Sequence, residues 1–220
     1  ELSYARDVAR NLGHNLIALP AAGKADRGIA DKMAEYTLRA NPEYLSISVI
    51  FEENALDGRD AEFAALPGQA PGGRYAWFVD KDAAGKYSMH PLTSYLTPGQ
   101  GDYYLLPQKS RKDTVTEPYT YAYNGVDTLL TSVAAPIVED GKLWAVVTSD
   151  ISLASLQDKI SQIKPWHGAG YAVLLSSKGK IVAYPDKSLT SKAWFEPVEN
   201  LGATMTEHHD PILGEDALVT

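Results

Sequence analysis

Between Gly99 and Asp150 the sequence sets acids and tyrosines into turns and apolar strands. Gly99-Gln100-Gly101-Asp102-Tyr103-Tyr104 opens the stretch and Glu117-Pro118-Tyr119-Thr120-Tyr121 follows. Leu143-Trp144-Ala145-Val146-Val147-Thr148-Ser149-Asp150 closes it on an acid. Aromatic faces and carboxylates both attract positive charge. Such residues brought together make an electronegative, aromatic-walled pocket suited to a cation. Recognition, rather than catalysis, is what these residue types offer. There is no Gly-x-Ser-x-Gly elbow, no phosphate-binding glycine loop and no His-Glu-x-x-His. His14, His90, His167, His208 and His209 form no evident base–nucleophile pair. The chain therefore reads as a non-enzyme that needs no cofactor.

Composition narrows the classes. A length of 220 residues allows one large or two modest domains with a substantial core. The net charge of −8 argues against a nucleic-acid partner, which wants a basic face. With no cysteine, a disulfide framework, a thiolate zinc site and a cysteine nucleophile are excluded. No signal peptide and no long apolar run occurs. The chain starts in a helical pattern at Glu1-Leu2-Ser3 and stops in a strand pattern at Ala217-Leu218-Val219-Thr220. Both ends read as cut, as expected for an excised domain that lacks its flanking membrane spans.

The elements that must position these residues follow from periodicity. Leu2, Ala5, Val8, Ala9, Leu12, Leu16, Ile17 and Leu19 recur at helical spacing; Pro20–Gly23 break the pattern, and Ile29–Leu38 resume it before Asn41-Pro42. Residues 44–51 then alternate like a strand with one face buried. Residues 74–79, 114–123, 129–137 and 143–150 read as further strands, with turns at 81–86, Asn124-Gly125 and Glu139-Asp140-Gly141-Lys142. The stretch around Gly99–Leu106 reads as a loop. A helix over Leu153–Ile163 and a hairpin, Tyr171–Leu175 with Ile181–Tyr184, complete the chain. The rhythm of strand, Gly-Lys turn and strand occurs twice, a weak sign of an internal repeat.

Most candidate residues admit a structural role beside a functional one. Asp150 precedes Ile151-Ser152-Leu153 and either caps that helix or faces a ligand. Tyr104 and Tyr119 are core or cross-strand aromatics, or ligand walls. Asp102 is a turn residue or a second acid. Trp77 and Tyr75 belong to the core or supply an aromatic face for an ammonium. Tyr121 shares a strand face with Tyr119. His208-His209-Asp210 reads as a solvated loop, since adjacent histidines on a strand point apart. Glu52-Glu53 with Asp57 and Asp60 lacks the EF-hand spacing and reads as a structural turn.

The order and spacing of 51–63, Gly101–Tyr104, Glu117–Tyr121, Leu130–Ile137, Gly141–Leu153 and Tyr171–Pro185 resemble the extracytoplasmic double Cache sensor domain of bacterial chemoreceptors. The resemblance implies an α+β fold: a long N-terminal helix and two stacked Cache (PAS-like) modules with antiparallel sheets. It implies a signalling and dimerisation helix over 1–40 and a membrane-distal ligand-binding module over 41–150. A linker helix over 151–169 and a truncated membrane-proximal module over 170–220 follow. The expected setting is a homodimeric inner-membrane receptor that presents this domain to the periplasm or exterior.

Amino-acid-binding members of that family carry an Arg, an aromatic pair, a further Tyr and a strand-end Asp. The resemblance places these on Gly101, Tyr103 with Tyr104, Tyr119 and Asp150, and Tyr119 follows Tyr104 by 15 residues as in that pattern. Asp150 then accepts an ammonium group. Glycine in place of the arginine removes the fork that clamps an α-carboxylate. The implied ligand is a small cation (an amine, polyamine or quaternary ammonium compound) held by Asp150, Asp102, Tyr104, Tyr119 and Trp77, with Tyr121, Tyr103 and Tyr75 nearby. Amino acids, purines or organic acids, a histidine-kinase output and a free solute-binding protein are the alternatives.

Overall fold

Helix α1 (Leu2–Ala21) forms because Ala5, Ala9, Leu12 and Leu16 recur on one buried face. Pro20 sits in its last turn, and the chain leaves through Gly23 at a φ of 65°. Helix α2 (Arg27–Ala40) begins on Asp26, whose Oδ1 accepts the Ile29 N–H at 2.9 Å. It stops at Asn41, whose side chain donates to the Thr37 carbonyl just before Pro42. The computed structural model describes residues 2–123, 125–168, 170–193, 206–207 and 218–219. His208-His209-Asp210 lies outside the described residues.

The remaining elements are β1 (Ser46–Phe51), α3 (Asp60–Ala64), β2 (Ala76–Lys81), β3 (Tyr87–Pro91), α4 (Asp102–Ser110), β4 (Thr114–Val115), β5 (Tyr119–Tyr123), β6 (Val126–Glu139), β7 (Lys142–Ser152), α5 (Leu153–Ser161), β8 (Leu174–Leu175), β9 (Ile181–Ala183), β10 (Thr206–Glu207) and β11 (Leu218–Val219). They divide into two compact units, Glu1–Thr116 with Ser132–Asp150 and Glu117–Thr131 with Ile151–Thr220.

In the first unit the strand order is β3-β2-β1-β7-β6-β4, and β1 pairs antiparallel with both β2 and β7. Both N-terminal helices pack on one face of this sheet. Gly13 of α1 lies so close to Ile137 that no Cβ fits there, the Ser149 hydroxyl donates to the Ala5 carbonyl at 3.1 Å, and the Tyr75 hydroxyl donates to Asp31 of α2 at 2.7 Å. Register puts Ile47 with Ser149, and Val49 with Val147 and Trp77, on that helix-covered face. The other face carries Ser46, Ser48 and Ile50 with their partners.

Sequence alternation predicts one buried face for β1, yet every residue of β1 is buried. Ser46 and Ser48 are polar without being wet. Two further expectations are corrected. The segment read as a loop around Gly99–Leu106 becomes α4 from Asp102 onward, because the Asp102 carboxylate folds back to accept the Gly99 N–H at 2.9 Å. The single strand read over 114–123 splits into β4 and β5 at Thr116–Pro118, where proline has no N–H to donate to a ladder.

In the second unit β5 pairs antiparallel with the start of β6, with Tyr119 opposite Leu130 and Tyr121 opposite Thr128. Helix α5 is capped by Ser152, whose Oγ accepts the Ser155 N–H at 3.0 Å. β8 and β9 form the expected hairpin, and Gln157 of α5 accepts the Tyr184 N–H at 2.9 Å beside it.

Candidate functional site

The sheet face away from α1 and α2 has a buried polar end in the first unit. Ser46 opens β1, and its register partners are Asp80 on β2 and Asp150 on β7. Asp150 is buried and accepts the hydroxyls of Ser46 at 2.7 Å and Ser132 at 2.6 Å. The helix cap is Ser152, so capping is not what Asp150 does. Asp80 is buried, with His90 Nε2 at 3.2 Å from its Oδ1. The next row along the same face pairs Ser48 with Thr148 and Phe78, and Phe78 with His90, the two rings 5.1 Å apart. The Thr148 side chain is fully buried, and its hydroxyl has no hydrogen-bond partner among the described residues.

At the opposite end of β1, about 17 Å along the strand, stands a second cluster. Arg74 donates to the Phe51 carbonyl at 2.6 Å and to the Tyr104 hydroxyl at 2.9 Å. Tyr104 donates in turn to Glu52 at 2.7 Å. The guanidinium also lies 5.4 Å from the Tyr95 ring centroid and 5.3 Å from that of Tyr104. Burial pushes the Tyr104 phenol up to about 12, and its bond to Glu52 adds to the rise. Burial pulls Arg74 down, but the Tyr104 hydrogen bond and the charges around it leave it raised. The cluster ties α4 to the sheet with a pinned cation.

The other sequence-derived candidates scatter. Trp77 and Tyr75 lie on the helix-covered face, opposite Asp150, and Tyr75 is held there by Asp31. Burial raises both of those groups above their ordinary values. The aromatic that β2 sets on the acid face is Phe78, one residue further on. Asp102 is the fold-back acid of α4, and Tyr103 follows it, half-buried. Tyr119 and Tyr121 belong to the second unit, where the Tyr121 and Tyr123 rings stand 5.0 Å apart. Sequence reasoning missed Asp80, Phe78, His90, Thr148, Glu52 and Arg74. The signal for Asp80 was present, since it ends an apolar run as Asp150 does.

Gly101 is glycine for a steric reason. A Cβ there would strike the Tyr95 carbonyl, so no side chain fits in this packing. Asp57 and Asp60 are engaged by Arg27, at 2.8 Å and 2.7 Å, as in the structural-turn reading. Among the described residues no group of three or more His, Cys, Asp or Glu could hold a metal ion, and no helix is long and apolar enough to cross a membrane.

Comparison with known proteins supplies the family. The model for the methyl-accepting chemotaxis protein-like first PDC sensor domain matches residues 31–158. The chemotaxis protein TlpQ of Pseudomonas aeruginosa is 32% identical over 155 residues, 64% of this chain and 22% of that protein. PctB of the same organism is 30% identical over 112 residues, 50% of this chain and 17% of its own. The chain thus spans about a fifth of the length of the curated relatives it matches. Among solved structures, the extracellular domain of mmHK1S-Z2, a protein assigned as a histidine kinase, superposes with a TM-score of 0.71 at 29% identity, covering 86% of this chain and 68% of that one. The PctB ligand-binding domain in complex with L-Arg gives 0.55 at 22% identity over 87% and 66%, a likeness of fold.

Proposed function

The chain belongs to the methyl-accepting chemotaxis protein-like first PDC sensor domain family, and from that premise we propose that it is the sensing module of a membrane chemoreceptor for a small cationic ligand. The ligand is an amine, polyamine or quaternary ammonium compound, seated on the buried acid face around Asp150. One observation supports this most: a buried carboxylate held by serine hydroxyls at 2.7 Å and 2.6 Å on a sheet face closed to solvent. Its charge and its fixed acceptors suit an ammonium group. The module over 41–150 binds the ligand, and Phe78 supplies an apolar and aromatic surface beside it. The receptor lies in the cytoplasmic membrane with this domain on the outer side, and two copies pair along α1. Binding shifts a conformational equilibrium that a cytoplasmic region reads, which requires unequal affinity for the two states.

A second reading has its own support. The Arg74 guanidinium, its side chain 12% exposed, stands beside the same sheet, and PctB was solved with an amino acid bound. In that reading a carboxylate displaces Glu52 or Tyr104 from Arg74, and the ligand is an amino acid. A third concerns output only, since mmHK1S-Z2 is assigned as a histidine kinase rather than a chemoreceptor.

A thermal-shift screen separates the ligand classes, because a ligand that binds only the folded state raises the melting point by mass action. Amines without a carboxylate are expected to raise it. A shift confined to amino acids overturns the cationic reading in favour of the Arg74 one.

A further inference from the structure

Deepening that reading and resting on it, we propose that the site takes a ligand with two cationic groups, one on Asp150 and the other on Asp80. Both acids are register partners of Ser46, one on each side, so they stand on the same face of three adjacent strands. Two strand spacings separate their Cα atoms by roughly 10 Å, a gap that suits a linear diamine of about four or five carbons. Both acids are 5% exposed, and neither projects into bulk solvent.

An acid pair alone is a poor argument for a site, since paired carboxylates repel and are often structural. The independent observation is Thr148. It lies two residues before Asp150 on the same strand face, its side chain is fully buried, and its hydroxyl has no partner among the described residues. A buried hydroxyl left unpaired is costly, and a ligand crossing the face between the acids supplies the missing partner. Row by row the face then reads as a bound diamine requires: acid, serine and acid in one row; Phe78, Ser48 and Thr148 in the next; Ala76, Ile50 and Val146 beyond. The apolar row suits the methylene groups of such a ligand.

His90 completes the arrangement. Its ring stacks on Phe78 and touches Asp80, while its side chain is 44% exposed. With that exposure it can swing aside into solvent, giving up the carboxylate to an incoming ammonium.

Calorimetry on this chain with putrescine and n-butylamine tests the inference. The diamine is expected to bind about 10-fold or more tighter than the monoamine, the scale of one charged hydrogen bond. Asp80→Asn should bring the diamine down to the monoamine level. Asp80→Glu keeps the charge on a longer arm and should shift the preferred diamine to a shorter one, a readout that a folding defect does not mimic. A diamine preference that survives Asp80→Asn overturns the second subsite while leaving the cationic reading intact. Binding of neither amine, with an amino acid binding instead, overturns both.

Discussion

The Asp150 carboxylate accepts the Ser46 hydroxyl at 2.7 Å directly across the β1–β7 pair. With Ser132 on its other oxygen at 2.6 Å, the group is fixed in direction before any ligand arrives. Pre-oriented acceptors lower the ordering cost of binding. Asp150→Asn keeps an acceptor oxygen and removes the charge. It should weaken binding of a cationic ligand by about 10-fold or more with little change in melting temperature. Unchanged affinity by calorimetry would remove Asp150 from the site.

Phe78 and Trp77 should behave oppositely. Phe78 shares the acid face and Trp77 faces the helices. Phe78→Leu retains apolar bulk but loses the aromatic face, and should cost an ammonium ligand several-fold in affinity. Trp77→Ala should cost about 1–3 kcal/mol of stability and leave affinity alone. Denaturant unfolding beside titration calorimetry gives both numbers for each variant. The reverse pattern would show that the ligand lies on the helix side.

This pair also shows how far the sequence can be read. The α+β class and the broken N-terminal helix followed from periodicity, Pro20, Asn41-Pro42 and the family pattern, and the last of these also pointed to Asp150. The face of the sheet did not. Strand side chains alternate, so a displacement of one residue exchanges Trp77 for Phe78 and the helix-packed face for the acid one. Nothing local in 75–80 says which face the helices will cover. Ser46 and Ser48 misled for a related reason. Polar residues at alternate positions predict a wet face, whereas here they line a closed one. The Arg74–Tyr104–Glu52 cluster joins three separated segments, and no spacing rule brings them together.

The Thr148 hydroxyl invites a stability–affinity test. Valine has nearly the same shape and nothing to satisfy. Because the hydroxyl is buried and unpaired among the described residues, Thr148→Val should raise the stability of the ligand-free chain by about 1 kcal/mol. Ligand affinity should fall at the same time, since a contact is lost. A variant with lower stability and unaltered affinity would mean that the hydroxyl is satisfied within the fold and takes no part in binding.

Gly101, where the family resemblance puts the arginine of amino-acid-binding members, invites a steric test. A Cβ at this position would run into the Tyr95 carbonyl, so even one methyl group must push backbone aside. Gly101→Ala should destabilise the chain by about 1–3 kcal/mol, the range for forcing an extra methyl into a packed site. Gly101→Arg should destabilise at least as much without creating affinity for amino acids. If Gly101→Arg folds normally and binds an amino acid, α4 can reposition, and the glycine reflects ligand choice alone.

Tyr104 predicts how stability responds to alkali. Its phenol titrates near 10.0 in an unfolded chain and at about 12 when folded, chiefly through burial and then through its bond to Glu52. A folded pKa above the unfolded one means that the folded state holds the proton more tightly. The stabilisation is therefore fully present below pH 10, declines as the unfolded chain ionises and is gone once pH passes about 12. Tyr104→Phe cannot ionise, so its urea midpoint should fall less steeply over that interval than that of the parent chain. At pH 8 the variant should be less stable, because the Glu52 carboxylate and the Arg74 guanidinium each lose a partner. The two unfolding curves, taken as a function of pH, should therefore converge toward high pH. Parallel curves would show that Tyr104 ionises alike in both states and that the cluster does not hold its proton.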